Sequence, residues 1–387
     1  MKRYVILIKN KIKSLLEERK VNQYYPDVQF SNNSTYSDKI HLEATMRWMS
    51  LAQEVTTNGG VSAYYDIANK KWSKAYRETT GYIIETFISY FKITKNKLFL
   101  DKAIEMGEWE IKVQCDDGAF GEVKPDGSIG KKIFNTGQII IGLICLYKET
   151  ADQKYLSAAR KAADWLVQNQ STNGSWEKFT SQGPKTYDAR VSWPLLSMHN
   201  ITQDSKYFDA ASKNIQWIIS QQKNNGWFDN TSLSTDNSPW THLIAYTISG
   251  LIESYVLLDK PNNIIFNSFY KAADKLLEIY NENQFLNCSF DQNWKSKDSY
   301  SCITGNAQLA IVWMQIYNFT HEKKFLDGAF SIIEQIKKTQ IIDSAYKELN
   351  GGIFGSSPIN GDYAPFLLIN WAPKFFADAL LMKQKYI

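Results

Sequence analysis

A ten-residue phrase recurs along the chain, and this repeat restricts the possible folds more than any other feature. Its four clear copies are Thr94-KNKLFLDK-Ala103, Thr150-ADQKYLSA-Ala159, Thr202-QDSKYFDA-Ala211 and Thr320-HEKKFLDG-Ala329. The gap before the last copy is about twice the others, which predicts a degenerate copy around Asp259 to Ala273. An apolar stretch precedes each copy, and apolar residues follow at helical spacing. We therefore predict that each copy is the short turn of a helical hairpin.

Two kinds of predicted helix alternate between these turns. The amphipathic kind, with one charged face, is predicted at Asp38–Glu54, Asn96–Val113, Gln153–Gln168, Ser205–Gln222, Asn263–Glu282 and Glu322–Thr339. The strongly apolar kind begins at polar groups around Thr80, Asn135, Arg190, Thr241, Thr304 and Asn370. Helices that are apolar nearly all round belong inside and amphipathic ones outside. Six of each predict an all-α (α/α)6 toroid, with a helix and lead-in at 1–36 and one toroid domain at 37–387.

Composition agrees with one large folded domain and excludes several kinds of protein. Of the 387 residues, 44% are hydrophobic and 14% are aromatic, which excludes a disordered chain or a fibre. The 44 basic and 40 acidic residues are too balanced to give affinity for nucleic acid by charge. The four cysteines form no C-x-x-C pair and indicate reduced, structural thiols. The surplus of aromatic rings is compatible with a sugar-binding cleft.

The first twenty residues predict a short amphipathic helix. Their apolar run, Tyr4 to Ile8, is too short for a signal peptide or a membrane span, while Ile12, Leu15 and Leu16 follow helical spacing. The expectation is a surface helix on the domain, with peripheral membrane contact as the alternative. A cytoplasmic location is the default prediction.

A second signature follows three of the outer helices. A Gln is followed by a Gly and then by an aromatic residue in Gln114-CDDGA-Phe120, Gln170-STNGS-Trp176 and Gln222-KNNG-Trp227. The Gln amide can cap backbone groups at the helix end, and the Gly permits the chain to reverse. This pattern resembles the Q-W repeat of the terpenoid-cyclase-like toroids, where it locks successive hairpins together. The resemblance implies a structural role for these rings.

Longer phrases show a closer resemblance. Among them are Tyr76-RETTGYII-Glu85, Trp240-THLIAYTISGL and the tail from Gly351 to Leu381. They resemble uncharacterised bacterial toroids encoded among surface-polysaccharide biosynthesis genes. The resemblance implies a glycan as partner, either an acidic oligo- or polysaccharide or a lipid-linked glycan, and polysaccharide-assembly proteins as further partners.

All six long connections of a toroid lead into the N-termini of inner helices, so they meet at one rim. Helix N-termini favour anionic ligands, such as a uronate carboxylate. His242 and Tyr246 share one face of the fourth inner helix, and a neutral imidazole beside a phenol can move a proton next to a carboxylate. The pair is similar in residue type to the sites of toroidal polysaccharide lyases. The leading hypothesis is therefore a uronate lyase or C5-epimerase, with His242 and Tyr246 as acid and base.

Other rim residues are assigned supporting roles in this hypothesis. Arg190 could grip a carboxylate and Tyr187 could donate a proton, unless Asp188 merely caps the helix and pairs with Arg190. The predicted substrate-binding residues are Asn306, Gln138, Asp188, Trp193, Trp294, Asn370, Trp371, Lys374 and Tyr82. Helix capping is the alternative for Asn306 and Asn370.

Two other functions stay open. A glycoside hydrolase needs two nearby carboxylates, and the rim offers Glu78, Asp117, Glu122, Asp188, Asp229, Asp236, Asp291 and Asp362. Of these, Asp117 and Asp229 lie in turns and are expected to be turn formers. A non-catalytic glycan-binding or scaffold toroid is the other alternative.

No cofactor is predicted. The D-x-D-D cluster of squalene-type cyclases is absent, as are the G-x-G-x-x-G and P-loop patterns. The four histidines fall in different elements and no Cys-His cluster occurs, so no zinc site is expected. A calcium ion held by loop carboxylates stays possible, although their spacing does not argue for one.

Overall fold

The helices of the chain form two concentric rings. The computed structural model describes residues 2–28, 30, 36–234, 238–258 and 262–387. Within them the helices are α1 Lys2–Tyr24, α2 Asp38–Glu54, α3 Arg77–Thr94, α4 Lys97–Val113, α5 Ile133–Thr150, α6 Gln153–Gln168, α7 Ala189–Thr202, α8 Ser205–Ser220, α9 Thr241–Leu257, α10 Asn263–Asn283, α11 Ile303–Thr320, α12 Lys323–Lys337 and α13 Trp371–Lys383. The odd-numbered helices from α3 to α13 contact one another in sequence and α13 contacts α3, which closes the inner ring. The predicted all-α (α/α)6 toroid is confirmed.

Helix α2 completes the outer ring by packing against α13, the last inner helix. The side chains of Lys337 and Lys383 lie 2.9 and 2.7 Å from the carboxylate of Asp38. Burial alone would raise the pKa of Asp38, but the hydrogen bonds from these two lysines hold it below its ordinary value. His41 adds a hydrogen bond to Gln340. Contacts between distant parts of the chain therefore close the ring.

The repeated phrase is a hairpin turn built around its first residue, Thr. In the first copy, Thr94 Oγ1 donates to the carbonyl of Tyr90 and accepts from the backbone N–H of Asn96. Lys95 between them is left-handed, with φ of 58°, and the Asn96 side chain caps α4. The copies at Thr150, Thr202 and Thr320 repeat both threonine bonds. The predicted degenerate copy begins at Asp259, which lies outside the described residues.

The Gln-Gly pattern ties each outer helix to the next. Gln170 Nε2 donates to the carbonyl of Gly174 at 3.0 Å and to that of Ala210, on the next outer helix, at 2.8 Å. Gly174 has φ of +90°, and its added Cβ would meet the backbone of Lys213, so glycine is required there. The Trp176 ring is fully buried and donates to the carbonyl of Leu166. These contacts give the ring a structural role.

The same two bonds recur around the molecule. Gln114 and Gln222 make them, as the sequence pattern predicted. Gln53 and Gln340 also bond a glycine carbonyl of the following loop, although their longer spacing hid them from the sequence search. Glutamine hydrogen bonds of this kind therefore occur at five outer-helix ends in the described part of the chain.

Short strands stiffen the long connections at the inner-helix N-termini. They are β1 Tyr64–Asp66, β2 Lys71–Trp72, β3 Gly121–Val123, β4 Ile129–Lys131, β5 Ser301–Cys302, β6 Ser356–Ser357 and β7 Leu367–Ile369. All pairings are antiparallel: β1 joins β2 and β7, β3 joins β4, and β5 joins β6. The β1–β7 and β5–β6 pairs link connections far apart in sequence, so the rim is held as one surface.

The N-terminal helix α1 lies against this structure through its C-terminal end. Val21 and Tyr25 are buried, and the Tyr25 ring meets Tyr346 edge-on at 4.9 Å. The predicted apolar positions Leu15 and Leu16 are more than half exposed. None of the helices in the described ranges is long and apolar enough to cross a bilayer.

Candidate functional site

A cavity of about 430 Å³ opens at the mouth of the barrel where the inner helices begin. Its walls come from the first turns of α3, α5 and α9, from the turn before α7, and from the rim connections. Of the predicted site residues, His242, Tyr246, Tyr187, Asp188, Trp371 and Tyr82 line it. Of the predicted rim carboxylates, Glu78, Glu122, Asp188 and Asp362 line it. We call it the rim cavity.

Two glutamates of the rim cavity are joined by one phenol. Tyr76 Oη lies 3.1 Å from Glu78 Oε2 and 3.0 Å from Glu122 Oε1. Burial raises the pKa of Glu78 to about 7; the hydrogen bond from Tyr76 opposes this rise, and the negative charge of Glu122 adds to it. Glu122 is exposed at the mouth. A carboxyl that is half protonated near neutral pH thus lies beside a second carboxylate.

His242 stands in a cage of aromatic rings. Its ring centroid lies 5.3 Å from those of Tyr246 and Tyr363, and the Trp240 ring stacks at 5.9 Å. Burial lowers the pKa of His242 to about 3, so the imidazole is neutral. Its Nδ1 has no hydrogen-bond partner among the described residues. A neutral imidazole and a phenol therefore face the same cavity.

Asp188 supplies a third carboxyl group to the wall. Only 1% of it is exposed, and its Oδ2 has no hydrogen-bond partner within the described ranges. Burial raises its pKa well above the ordinary value, and the charge of Lys185 opposes this rise only in part. The interpretation of Asp188 as a cap paired with Arg190 is wrong, because its side chain makes no cap bond and Arg190 bonds Gln138 instead. The adjacent Tyr187 is buried and packs edge-on against Phe134 at 5.2 Å.

Arg190 lies beneath the rim cavity and not in its wall. Its Nε donates to Gln138 Oε1 at 2.7 Å, and the guanidinium carbon lies 5.1 Å from the centroid of the Tyr246 ring. The predicted grip of Arg190 on a substrate carboxylate in this cavity is therefore wrong. Lys132 is the one lysine or arginine that lines the cavity in the described part of the chain.

The remaining predicted binding residues lie elsewhere. Trp193 and Lys374 line a different cavity at the opposite end of the barrel. Asn370 is fully buried and bonds Ser62 and Thr79, a structural role. The prediction that Trp294 binds substrate is wrong, because its ring packs on Trp227 and donates to the carbonyl of Asn225, away from both cavities.

Two buried amides and three carboxylates complete the placement of the predicted residues. Asn306 and Gln138 are buried within the inner ring and do not line the rim cavity. Asp117 pairs with Lys131, and Asp229 pairs with Lys223. Asp291 accepts from backbone N–H groups of its own turn. These three carboxylates are turn formers, and Asp236 lies outside the described residues.

Sequence reasoning missed four residues of the site, and one of them, Trp240, directly precedes α9. Tyr76, which bridges the glutamates, is the residue just before α3, and Tyr363 comes from the connection before α13. Lys132 directly precedes α5. A search for aromatic and basic residues immediately before each inner helix would have found Tyr76 and Lys132.

The described residues contain no set of three or more His, Cys, Asp or Glu side chains placed to hold a metal ion. The titratable groups that line the rim cavity are carboxyl, imidazole, phenol and lysine amine groups.

Comparison with known proteins identifies one matching sequence profile and several solved structures with a similar fold. The sequence profile of the squalene-hopene cyclase C-terminal domain matches residues 80–255. A sequence search of curated proteins finds no match. Among solved structures, cellobiose 2-epimerase from Bacillus thermoamylovorans is similar, with a TM-score of 0.72 and 14% identity over 90% of this chain and 98% of that one.

Two further structures share the architecture. An unsaturated glucuronyl hydrolase specific for heparin has a TM-score of 0.71 and 14% identity, over 91% of this chain and 99% of that one. A polysaccharide lyase has a TM-score of 0.63 and 12% identity, over 91% of this chain and 98% of that one. At these identities the similarity establishes a common fold. The three structures carry three different reactions, so the fold alone does not select one.

Proposed function

We propose that this chain is a glycan-processing enzyme whose rim cavity hydrolyses a glycosidic bond. Its terpenoid-cyclase-like α/α toroid is a fold that it shares with carbohydrate-active enzymes. The observation that carries the proposal is the Glu78 carboxyl, which has a pKa of about 7 and lies beside Glu122 in the rim cavity. A general acid is most effective when its pKa lies near the working pH. Paired carboxyl groups are the usual equipment of glycosidases.

In this proposal Glu78 is the acid. It transfers its proton to the glycosidic oxygen as the bond to the sugar carbon breaks, and the departing sugar leaves with a hydroxyl group. Glu122 accepts a proton from the water that attacks the sugar carbon. The hydroxyl group of Tyr76 lies between the two carboxyl groups and holds them in position. Each cycle thus adds one water molecule across the bond.

The cavity also suits a sugar sterically. Its volume falls within the range of ordinary small-ligand sites. The rings of Trp240 and Trp371 stand in its wall and can stack on the apolar faces of a sugar. The inner-helix N-termini and the Lys132 side chain favour an anion. An acidic glycan is therefore a substrate class to test first.

A second candidate is epimerisation or elimination through His242 and Tyr246. The observation in its favour is the neutral imidazole, with an unpartnered Nδ1 among the described residues, facing the Tyr246 phenol. It lacks the predicted carboxylate clamp, because Arg190 lies beneath the cavity. Hydrolysis does not need that clamp, which is why we rank it first. A non-catalytic scaffold would not require so many buried titratable groups in one cavity.

One incubation tests these alternatives. The purified protein is mixed with a panel of acidic and neutral glycans in D₂O, and reducing ends, ultraviolet absorbance and deuterium at sugar carbons are measured. New reducing ends without the other two signals support hydrolysis. New absorbance from an unsaturated uronate, or deuterium without cleavage, would instead assign the reaction to His242 and Tyr246. No change with any glycan would contradict an enzymatic role.

A further inference from the structure

The barrel has a second cavity at the end opposite the rim. Its volume is about 390 Å³, and its lining comes from the later turns of inner helices, as with Glu85 on α3, Glu253 on α9 and Gln315 on α11. We call it the far cavity. None of the residues proposed above to carry out hydrolysis lines it.

A layer of aromatic rings and cations separates the two cavities. Tyr82 and Tyr246 line the rim cavity, and Phe375 packs against both rings at 5.7 and 5.9 Å. On the far side, the Arg190 guanidinium lies 5.8 Å and the Lys374 ammonium 4.5 Å from the centroid of Phe375. These cation–π contacts close the floor of the rim cavity. The far cavity is therefore a separate site.

Several charged groups in the far cavity already have partners. Lys374 Nζ lies 2.5 Å from Asp378 and 3.7 Å from Glu85. Gln315 donates to Glu253 at 2.6 Å. A charged ligand would have to displace these bonds at a large desolvation cost. A neutral ligand can add hydrogen bonds without separating any pair.

In this network Gln315 leaves its Oε1 without a partner among the described residues, and Gln308 leaves both of its amide groups without one. Gln308 is 2% exposed and lines the far cavity, yet neither its Oε1 nor its Nε2 has a hydrogen-bond partner among the described residues. A buried amide without partners is destabilising, because its polar groups have lost their hydrogen bonds to water and gained none in return. The side chain offers one acceptor and one donor group side by side. A hydroxyl group, which both donates and accepts, is the complementary partner.

The wall also holds an aromatic ring. Trp193 is partly exposed in the far cavity, and the Arg190 guanidinium lies 5.2 Å from its ring centroid, which fixes its position. An indole gives the apolar surface on which the C–H face of a sugar stacks. Carboxyl, amide and hydroxyl groups around it, including Glu85, Glu253 and Ser249, supply partners for ring hydroxyls.

We propose that the far cavity is a second carbohydrate site, which binds a neutral sugar of one or two rings through Gln308 and Trp193. It binds without chemistry, and it stands independently of the reaction proposed for the rim cavity. The ligand class follows from the paired charges, the unpartnered amide and the exposed indole.

Calorimetric titration tests the site. The full chain carrying Glu78→Gln, which keeps the sugar intact, is titrated with glucose, galactose, N-acetylglucosamine and cellobiose, and with glucuronate and glucose 6-phosphate for comparison. We expect a neutral sugar to bind and the Gln308→Leu change to weaken that binding at least tenfold. Trp193→Ala should do the same. The matched rim variant Trp371→Ala should leave this binding event unchanged.

Folding of the Gln308→Leu protein provides a second readout. Because the Gln308 amide has no partners, Leu should raise the melting temperature without ligand, and the sugar should no longer raise it further. The proposal is overturned if no neutral sugar binds, or if only the two charged sugars bind. It is also overturned if binding survives Gln308→Leu or is lost in the rim variant instead.

Discussion

The two ends of the barrel surround their buried ionisable groups differently. At the rim, burial raises the pKa of Glu78 to about 7 and that of Asp188 above its ordinary value, and it lowers the pKa of His242 to about 3. At the far end, burial also raises the pKa values of Glu85 and Glu253, but the charge of Lys374 opposes the rise at Glu85 and the hydrogen bond from Gln315 opposes it at Glu253. A buried carboxyl with a pKa near 7, such as Glu78, can exchange a proton near neutral pH, whereas a paired charge is fixed. The comparison indicates that the rim is built for proton transfer and the far end for binding and rigidity.

The largest expected effect tests the rim. Replacing Glu78 with Gln removes the transferable proton and should lower kcat for hydrolysis by about 10²–10⁴-fold. The melting temperature should change little. The matched control is Glu110→Gln, which alters a buried glutamate outside both cavities and should leave kcat near the wild-type value. Equal losses in both variants would remove Glu78 from the mechanism.

A change at the far end should act on stability instead. Lys374→Met leaves the carboxylates of Glu85 and Asp378 without their cation, so we expect unfolding free energy to fall by about 3 kcal/mol. Denaturant titration measures this loss. Below the new melting point, turnover should persist. A stable Lys374→Met protein would show that the far-end charges are not the rigid network described here.

The pH profile sharpens the description of the rim. Because Glu78 acts in its protonated form, kcat/KM should fall as pH rises through about 7. Glu122→Gln removes the proposed base and should lower turnover, and in the activity that is left this limb should move to lower pH, since the charge of Glu122 raises the pKa of Glu78. Tyr76→Phe removes a bond that lowers the same pKa and should move the limb to higher pH. Shifts in the same direction for both variants would contradict the bridged arrangement.

A smaller effect, on stability alone, is expected at Glu110, whose pKa is shifted although it lies outside both cavities. Glu110 is fully buried in α4, and burial raises its pKa well above the ordinary 4.5, despite the opposing charge of Arg77. The folded chain keeps this proton while the unfolded chain loses it, so stability should fall as pH rises above about 4.5. Glu110→Gln should remove that part of the pH dependence and make the protein more stable than the wild type at pH 8. Denaturation at pH 5 and pH 8 measures it, and unchanged curves would exclude a buried, protonated Glu110.

The fold could be predicted from sequence because its signals are local. The bounds of α2 and α6 match the predicted ranges, and α4 begins one residue later only because Asn96 is its cap. The strands were missed because each has two or three residues, too few to show a period. The sequence likewise grouped His242 with Tyr246, which lie one helical turn apart and face one cavity.

The site was harder to predict because its key contacts cross between connections. Tyr76 meets Glu122 across a separation of 46 residues, and no local pattern encodes that approach. The position of Arg190 was predicted wrongly because the direction of its side chain around the helix was not considered. It follows Asp188 by two residues, which corresponds to roughly 200° around a helix, so the two side chains point toward different cavities.

Closure of the toroid by α2 and α13 has a consequence for the order of assembly. The bonds of Asp38 with Lys337 and of His41 with Gln340 each join residues 299 positions apart. Hairpins such as α5 with α6 are local and can form as soon as their residues are synthesised, whereas such distant contacts must wait and form slowly. During synthesis, the first outer helix therefore exposes its apolar face until the last inner helix emerges. The nascent chain is an open arc for most of its time on the ribosome, and that arc is the species that chaperones would meet.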